Sequence, residues 1–72
     1  MHIEKLVSMA NDIADFFNAE SDKEIAAEGV KKHIQRSWDP RMRKAIVKYY
    51  QDSGEGLSPL AADAVKKLME MG

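Results

Sequence analysis

Apolar residues in the first part of the chain recur at intervals of three and four positions. They are Ile3, Leu6, Val7, Ala10, Ile13, Ala14 and Phe17, and most of the positions between them are charged or amide side chains. This spacing places the apolar residues on one face of a helix. We therefore predict a first amphipathic helix. Phe16 lies one position off the stripe, so one of Phe16 and Phe17 is expected to face a neighbouring element or a partner.

A second helix is predicted to begin near Ser21, because Ser21 and Glu24 have the spacing of a capping box. Its apolar positions are fewer and richer in alanine: Ile25, Ala26 or Ala27, Val30, Ile34 and then Trp38. Gly29 lies inside this helix, where glycine costs about 1 kcal/mol relative to alanine. Either another segment approaches closely at Gly29, or the residue is simply a weak point.

Two proline steps mark the starts of two further helices. Asp39-Pro40 and Ser58-Pro59 each combine a capping side chain with a proline at the first helical position, where no hydrogen bond is lost. Gly54 or Gly56 can take the left-handed conformation that ends the third helix. The predicted inward residues are Met42, Ala45, Ile46, Tyr49 and Tyr50 in the third helix and Leu60, Ala61, Ala64, Val65, Leu68 and Met71 in the fourth, with Lys66 and Lys67 outside.

No stretch has the alternating pattern of a strand. The sequence therefore predicts an all-α fold, a small bundle of four short helices that forms a single domain over residues 1–72. The chain has no cysteine and no metal-ligand spacing, so neither a disulfide nor a structural metal is expected. A core of this size is expected to supply about 3 to 5 kcal/mol of stability. A partner that binds only the folded form would add to that.

Charge is distributed unevenly, although the formal net charge is only −1. Residues 1–28 contain seven acidic and two basic side chains, whereas residues 29–48 contain seven basic side chains and the single acid Asp39. A basic block of this kind favours an anionic partner. Nucleic acid, an acidic protein surface and the chain's own acidic first helix all fit this pattern.

The segment at the centre of the chain, residues 37–43, contains the only tryptophan, Trp38, and two arginines. Arg41 and Arg43 fall in the first turn of the predicted third helix. The helix dipole favours anions at that end by about 0.3 to 1 kcal/mol, so arginines there act against it. In one interpretation the arginines bind an acidic partner. In the other, Trp38 anchors the core and both arginines are solvated.

The residues do not form a catalytic constellation. His2 and His33 are the only histidines, no cysteine can act as a nucleophile, and the serines occupy turns or caps. Asp12 and Asp15 lie on the polar face of the first helix, without the burial that raises a carboxyl pKa. The predicted function is therefore binding, with no catalytic, cofactor-binding or metal-binding residue.

Two classes of partner compete for this binding function. A small helix-turn-helix-like DNA-binding regulator would place the basic third helix in a major groove. The near-neutral net charge, the acidic first helix and the lack of Asn, Gln, Ser or Thr at the reading positions argue against it. Aromatic residues and arginines dominate protein-binding hot spots, and this chain combines Trp38, Phe16 and its tyrosines with the central arginines. We favour a protein partner over nucleic acid.

Four strings of residues, in this order and spacing, resemble one protein family. They are residues 6–17 (LVSMANDIADFF), 33–34 (HI), 38–43 (WDPRMR) and 54–60 (GEGLSPL). They resemble the delta subunit family of NAD-dependent formate dehydrogenases over nearly the whole chain. The resemblance implies a cytoplasmic enzyme with molybdenum or tungsten that oxidises formate to carbon dioxide and reduces NAD. It also implies that the pterin cofactor, iron–sulfur clusters and flavin belong to larger subunits.

For the small chain itself, the resemblance implies an accessory subunit that binds and stabilises the large catalytic subunit or assists its maturation. On this hypothesis Arg41 and Arg43 pair with carboxylates or phosphates of the large subunit, and Trp38 fills a pocket. The predicted partner-binding residues are Trp38, Arg41, Arg43, Phe16 and Lys44. The chain is expected to be cytoplasmic, because the sequence shows no targeting signal and no apolar run long enough to span a membrane. Both permanent membership of the complex and a role confined to assembly fit the sequence.

Overall fold

Four α-helices follow one another along the chain. The computed structural model describes residues 2–71, in which α1 spans Ile3–Phe17, α2 Lys23–Ser37, α3 Pro40–Asp52 and α4 Pro59–Glu70. The described residues contain no strand. The predicted all-α bundle of four short helices is therefore confirmed. Met1 and Gly72, the two ends of the predicted domain, lie outside the described residues.

The predicted starts of α3 and α4 are confirmed by their caps. The Asp39 carboxylate accepts the backbone N–H of Met42 at 3.0 Å, and the Ser58 hydroxyl accepts that of Ala61 at 3.2 Å. A proline follows each cap at the start of the helix. The end of α3 also agrees with the prediction, because Gly54 adopts a φ of 68°, which a residue with a Cβ rarely takes.

The start of α2 differs from the prediction. Asp22 is the cap, and its carboxylate accepts the backbone N–H groups of Glu24 at 3.0 Å and Ile25 at 3.3 Å. The predicted capping box of Ser21 and Glu24 is therefore wrong. An ionised carboxylate can satisfy two N–H groups at the positive end of the helix dipole, which favours Asp22 over the neighbouring serine. The Glu24 side chain instead pairs with Lys67 of α4.

The core lies between all four helices, and α1 contacts each of the other three. The buried hydrophobic residues are Leu6, Ala10, Ala14, Ala26, Ala27, Val30, Ile34, Trp38, Ile46, Leu60, Ala61, Ala64, Val65 and Leu68. Many of them are alanines, which allow helix backbones to approach closely. The volume of the core therefore depends on a few large side chains, above all Trp38, Ile34 and Ile46.

Several side chains on α2 and α4 face differently from the prediction. Ala26 and Ala27 are both buried, whereas Ile25 is 59% exposed. Helix α2 packs closely against α4, and small residues suit such a close approach of two helix backbones. Met71, expected to face inward, is 54% exposed, and Lys67, expected outside, is half-buried.

Another segment of the chain approaches the backbone of α2 closely at Gly29, which is one of the two interpretations of this glycine given by the sequence. A Cβ atom built on Gly29 would lie 2.7 Å from Cδ1 and Cε1 of Phe17, closer than non-bonded carbon atoms come. The Phe17 ring therefore packs directly on the backbone of α2. Phe16, its neighbour in sequence, is 79% exposed.

The variant Gly29→Ala is expected to destabilise the chain by about 1 kcal/mol. The added methyl group would displace the Phe17 ring, and overpacking of this kind costs about 1 to 3 kcal/mol, more than the helix propensity of alanine returns. Urea unfolding measures the difference. In a Phe17→Ala background the same change is expected to stabilise the chain, because no ring meets the methyl group. Stabilisation in both backgrounds would contradict the contact.

An ion-pair network joins α2 to α4 at the surface. Lys67 bonds to Glu24 and lies 4.0 Å from Glu28, which also pairs with Lys31 at 2.6 Å. The hydrogen bond from Lys31 lowers the pKa of Glu28 below its ordinary 4.5, and the hydrogen bond to Glu24 raises the pKa of Lys67 above its ordinary 10.5. The contribution of Glu28 to stability is therefore complete above pH 4.5 and is lost as the pH falls through its lower folded-state pKa.

Candidate functional site

A groove of about 680 Å³ lies between α3 and the C-terminal end of α4. Its walls include three cationic side chains of α3 and apolar side chains from both helices. The residues that matter most are Arg43, Lys44, Lys48, Val47, Met69 and Met71. We call this feature the α3–α4 groove. It combines positive charge with an apolar floor, which suits a segment of another protein that carries both acidic and apolar side chains.

Helical spacing explains how α3 presents these residues. Lys44, Val47 and Lys48 lie three and four positions apart, so they share one face of the helix. Ile46 lies on the opposite side and is completely buried, which fixes the rotation of α3 in the bundle. Lys44 and Lys48 are consequently exposed beside the groove, and Val47 is half-buried.

The positive charge of α3 is mostly uncompensated within the chain. Across residues 2–71, the one ion pair that involves α3 is the exposed pair of Lys48 and Asp52, whose charged atoms lie 3.7 Å apart. Arg41 and Lys44 are exposed and form no ion pair within that range. Asp39, the one acid in the basic block, accepts a backbone N–H as the cap of α3. The surface around Lys44 is therefore free to attract an anion.

Arg43 has a different role from its neighbour Arg41. Its Nη1 donates hydrogen bonds to the carbonyl oxygen of Trp38 and to that of Gln35, the latter at 3.3 Å. Both carbonyls belong to the C-terminal end of α2, where the helix dipole is negative and favours a cation. Arg43 therefore fastens α3 to the end of α2 and only partly faces the groove. The sequence pattern does not distinguish the two arginines and gives no sign of this contact.

Trp38 belongs to the core of the chain. Its residue is only 4% exposed, and its backbone N–H donates to the carbonyl oxygen of Ile34 at 2.9 Å. The interpretation of Trp38 as a core anchor agrees with this burial. The prediction that its ring fills a pocket of a partner does not, because the ring is enclosed by the chain's own side chains. Trp38 supports the groove indirectly, through the carbonyl that holds Arg43.

The remaining predicted residues are divided between two places. The groove brings together Arg43 and Lys44, with Arg41 exposed in the same turn of α3. Phe16 is not part of the groove and lies at the C-terminal end of α1. The contribution of Met69 and Met71 was missed by sequence reasoning, because it depends on α4 lying alongside α3.

Hydrogen bonds from α1 help to set the position of α4. The Asn11 amide donates to the carbonyl oxygen of Gly56 and its oxygen accepts the backbone N–H of Ser58, both at 2.9 Å. The Tyr49 hydroxyl of α3 donates to the carbonyl oxygen of Glu55 at 2.6 Å. The turn between α3 and α4 is thus held from two sides. This places the start of α4 and, with it, the far wall of the groove.

The part of the chain that the structure describes shows neither a metal-binding cluster nor a helix that could span a membrane. Residues 2–71 contain no cluster of three or more histidine, aspartate or glutamate side chains placed to hold a metal ion. No helix in the same range is both long and apolar enough to cross a lipid bilayer.

The bundle and its groove define a small helical protein whose distinctive feature is a cationic, partly apolar surface. Comparison with protein families identifies it further. The family model of the NADH-dependent formate dehydrogenase delta subunit FdsD matches residues 5–65, and the chain belongs to this family. The resemblance seen in the sequence is thereby confirmed. No curated protein and no solved structure matches the chain.

Proposed function

We propose that this chain is a non-catalytic accessory subunit that binds the large catalytic subunit of a formate dehydrogenase through the α3–α4 groove. Membership of the delta subunit family implies association with the larger subunits of the complex. On this proposal the groove is the contact surface and its charge sets the chemistry of the contact. The large subunit would contribute a segment in which acidic side chains flank one or more apolar ones.

The observation that carries this proposal is the exposed positive charge of Lys44 on the partly apolar wall of the groove, with Arg41 exposed in the same turn of α3. Neither side chain has an ion pair within residues 2–71. Carboxylates of a partner could pair with them, while the methionines of α4 adapt their shape to an apolar side chain. Complementary charge would also speed association and exclude wrong partners.

The exposure of these cations supports binding rather than catalysis. Catalytic acids and bases are usually held in enclosed sites that shift their pKa values. Arg41 and Lys44 are exposed to solvent, and Arg43 is engaged with the end of α2. The two proteins would stabilise each other, because binding to the folded form adds to the modest stability of a small core.

Reversing the charge at Lys44 is expected to reduce association with the large subunit at least about tenfold, since like charges would then face each other across the interface. The variants Lys44→Glu and Arg41→Glu are co-expressed with the larger subunits, and the ratio of small to large subunit is measured after purification. Lys5→Glu is the matched control, because Lys5 is exposed on α1 away from the groove. Equal recovery of Lys44→Glu and Lys5→Glu would contradict the proposal.

Binding to duplex DNA is the alternative outcome. A regulator that used α3 in a major groove would slow the migration of a DNA duplex on a gel at low salt. Its affinity for the duplex would fall steeply as the salt concentration rises. We expect no shift at either salt concentration. A salt-dependent shift that Lys44→Glu abolishes would replace the protein-binding proposal with the nucleic-acid one.

A further inference from the structure

Two methionines, Met69 and Met71, line the α3–α4 groove near the C-terminal end of α4. Met71 is 54% exposed and Met69 is half-buried. We call these two residues the methionine pair. Met9 and Met42, by contrast, are half-buried residues that pack against the hydrophobic core. Because an oxidant must reach a thioether before it can react with it, the methionine pair, and Met71 above all, is the more easily oxidised.

The sulfur of Met69 faces α3 across the groove. Its Sδ accepts a hydrogen bond from Nε2 of Gln51 at 3.2 Å. A thioether is a weak acceptor, whereas the oxygen of a sulfoxide is a polar group that accepts hydrogen bonds well. Gln51 lies one turn beyond Lys48 and two turns beyond Lys44 on the same face of α3. A sulfoxide formed here therefore has an amide donor beside it and two ammonium groups along the same helix face.

Oxidation of the methionine pair would change the character of the apolar wall of the groove. The reduced thioethers are apolar and flexible, so they can pack around an apolar side chain of a partner. A sulfoxide is polar and has partial negative charge on its oxygen. It would disfavour the apolar side chain and would compete with carboxylates of the partner for the lysines of the groove. Both effects act against the same occupant.

We infer that the methionine pair is an oxidation site that controls assembly: a peroxide converts Met71, and then Met69, to the sulfoxide in the free chain, and the oxidised chain binds the large subunit more weakly. The inference rests on the proposed function, since the methionine pair affects assembly only if the groove binds.

The oxidation is a two-electron reaction of the thioether with the peroxide. With hydrogen peroxide, a lone pair of the sulfur attacks one oxygen and the O–O bond breaks. The second oxygen leaves as hydroxide with the electron pair of that bond. The hydroxide then takes the proton of the transferred oxygen and departs as water. The sulfur is oxidised to the sulfoxide, and the peroxide is reduced.

The first test measures where the free chain is oxidised. The purified chain is treated with hydrogen peroxide, and mass spectrometry of its peptides gives the rate at each methionine. Met71 is expected to react at least about fivefold faster than Met9 or Met42. Circular dichroism should show that the helices are retained, because the core is formed by other residues. Equal rates at the three positions, or loss of the helix signal, would overturn the inference.

The second test measures the Kd for a complex of the larger subunits prepared without the chain. After treatment and removal of the peroxide, the chain is expected to bind about tenfold more weakly than before. The double variant Met69→Leu, Met71→Leu should change its Kd by less than about twofold on treatment, whatever its starting value, because leucine has no sulfur to oxidise. Met9→Leu is the matched control and should respond as the wild type does. An equal response of the double variant would overturn the inference.

Repair of the sulfoxide tests the chemistry of the modification. Methionine sulfoxide reductases of both stereospecificities, supplied with dithiothreitol, should restore the Kd of the untreated chain. A loss of affinity that these enzymes leave in place would overturn the inference.

The variant Lys44→Glu separates this inference from the groove proposal. Weaker binding of Lys44→Glu, together with a wild-type Kd that peroxide does not change, would overturn the inference and leave the groove proposal standing. A wild-type Kd for Lys44→Glu would overturn the groove proposal, and the inference with it.

Discussion

Replacing Trp38 with alanine is expected to unfold most of the isolated chain. Trp38 is only 4% exposed, and truncation of a buried tryptophan costs about 3 to 5 kcal/mol. A core of this size supplies about the same amount in total, 3 to 5 kcal/mol, so the loss removes nearly all of the stability. Far-ultraviolet circular dichroism during urea unfolding measures the effect.

The matched control for Trp38→Ala is Phe16→Ala, which also truncates an aromatic residue. Because Phe16 is 79% exposed, its removal is expected to change the free energy of unfolding by no more than about 0.5 kcal/mol. Similar stabilities for the two variants would contradict the role of Trp38 as the core anchor. Addition of the larger subunits should restore part of the helix signal of Trp38→Ala, because binding selects the folded form.

Removal of Arg43 is expected to lower the free energy of unfolding by about 2 kcal/mol. The variant Arg43→Ala loses the hydrogen bonds to the carbonyl oxygens of Gln35 and Trp38. It also removes one of the cations at the negative end of the α2 dipole, where Arg36 of the last turn remains. The junction between α2 and α3 is only two residues long, so the loss loosens the relative placement of these helices. Urea unfolding measures the difference.

Arg41→Ala provides the comparison for Arg43→Ala. Arg41 is exposed, and the part of the chain that the structure describes gives it no ion pair, so its removal should change the stability by less than about 0.5 kcal/mol. It should nevertheless weaken association with the large subunit. Arg43→Ala would thus lower mainly the stability of the chain, and Arg41→Ala would lower mainly its affinity for the large subunit. Equal losses of stability would contradict the assignment of Arg43 to the end of α2.

Local signals in the sequence predicted the helices well. The steps Asp39-Pro40 and Ser58-Pro59 start helices, and Gly54 ends one, because each effect depends on a few adjacent residues. The exception is α2, where two neighbouring polar residues could both act as caps. Asp22 prevails over Ser21 because its carboxylate accepts two backbone N–H groups.

Long-range packing determines which side chains face the core and which distant residues they contact, and the local spacing of apolar residues could not predict this. The spacing of apolar residues put Ile25 on the inward face of α2, but the close contact with α4 turns the alanines inward and leaves Ile25 exposed. The Asn11 side chain lay on a polar face in the sequence, and it bonds to residues more than forty positions away. Interactions of this kind depend on the assembled bundle.

The sequence predicted the positive charge of the candidate site, but it did not predict the shape of the groove. The basic block identified Arg41, Arg43 and Lys44 but gave no sign that Arg43 holds the end of α2. The sequence also left the position of Trp38 open between core and partner. The apolar wall formed by Met69 depends on the placement of α4 beside α3, which the hydrogen bonds of the connecting turn secure.

The α3–α4 groove gives the proposed role a physical form. This face of the bundle is cationic and partly apolar around Lys44. A chain with a small core and such a surface is suited to bind a larger protein. Its own stability would in turn depend on those contacts.

Chemical labelling of lysines in the assembled complex tests the central claim most directly. Acetic anhydride modifies exposed lysines, and mass spectrometry compares the reactivity of each lysine in the free chain and in the complex with the larger subunits. We predict that the reactivity of Lys44 falls at least about fivefold on assembly, because a partner that covers this lysine and pairs with it through a carboxylate shields its amine from the reagent. The reactivity of Lys5 should remain unchanged. If Lys44 is as reactive in the complex as in the free chain, the α3–α4 groove does not bind the large subunit.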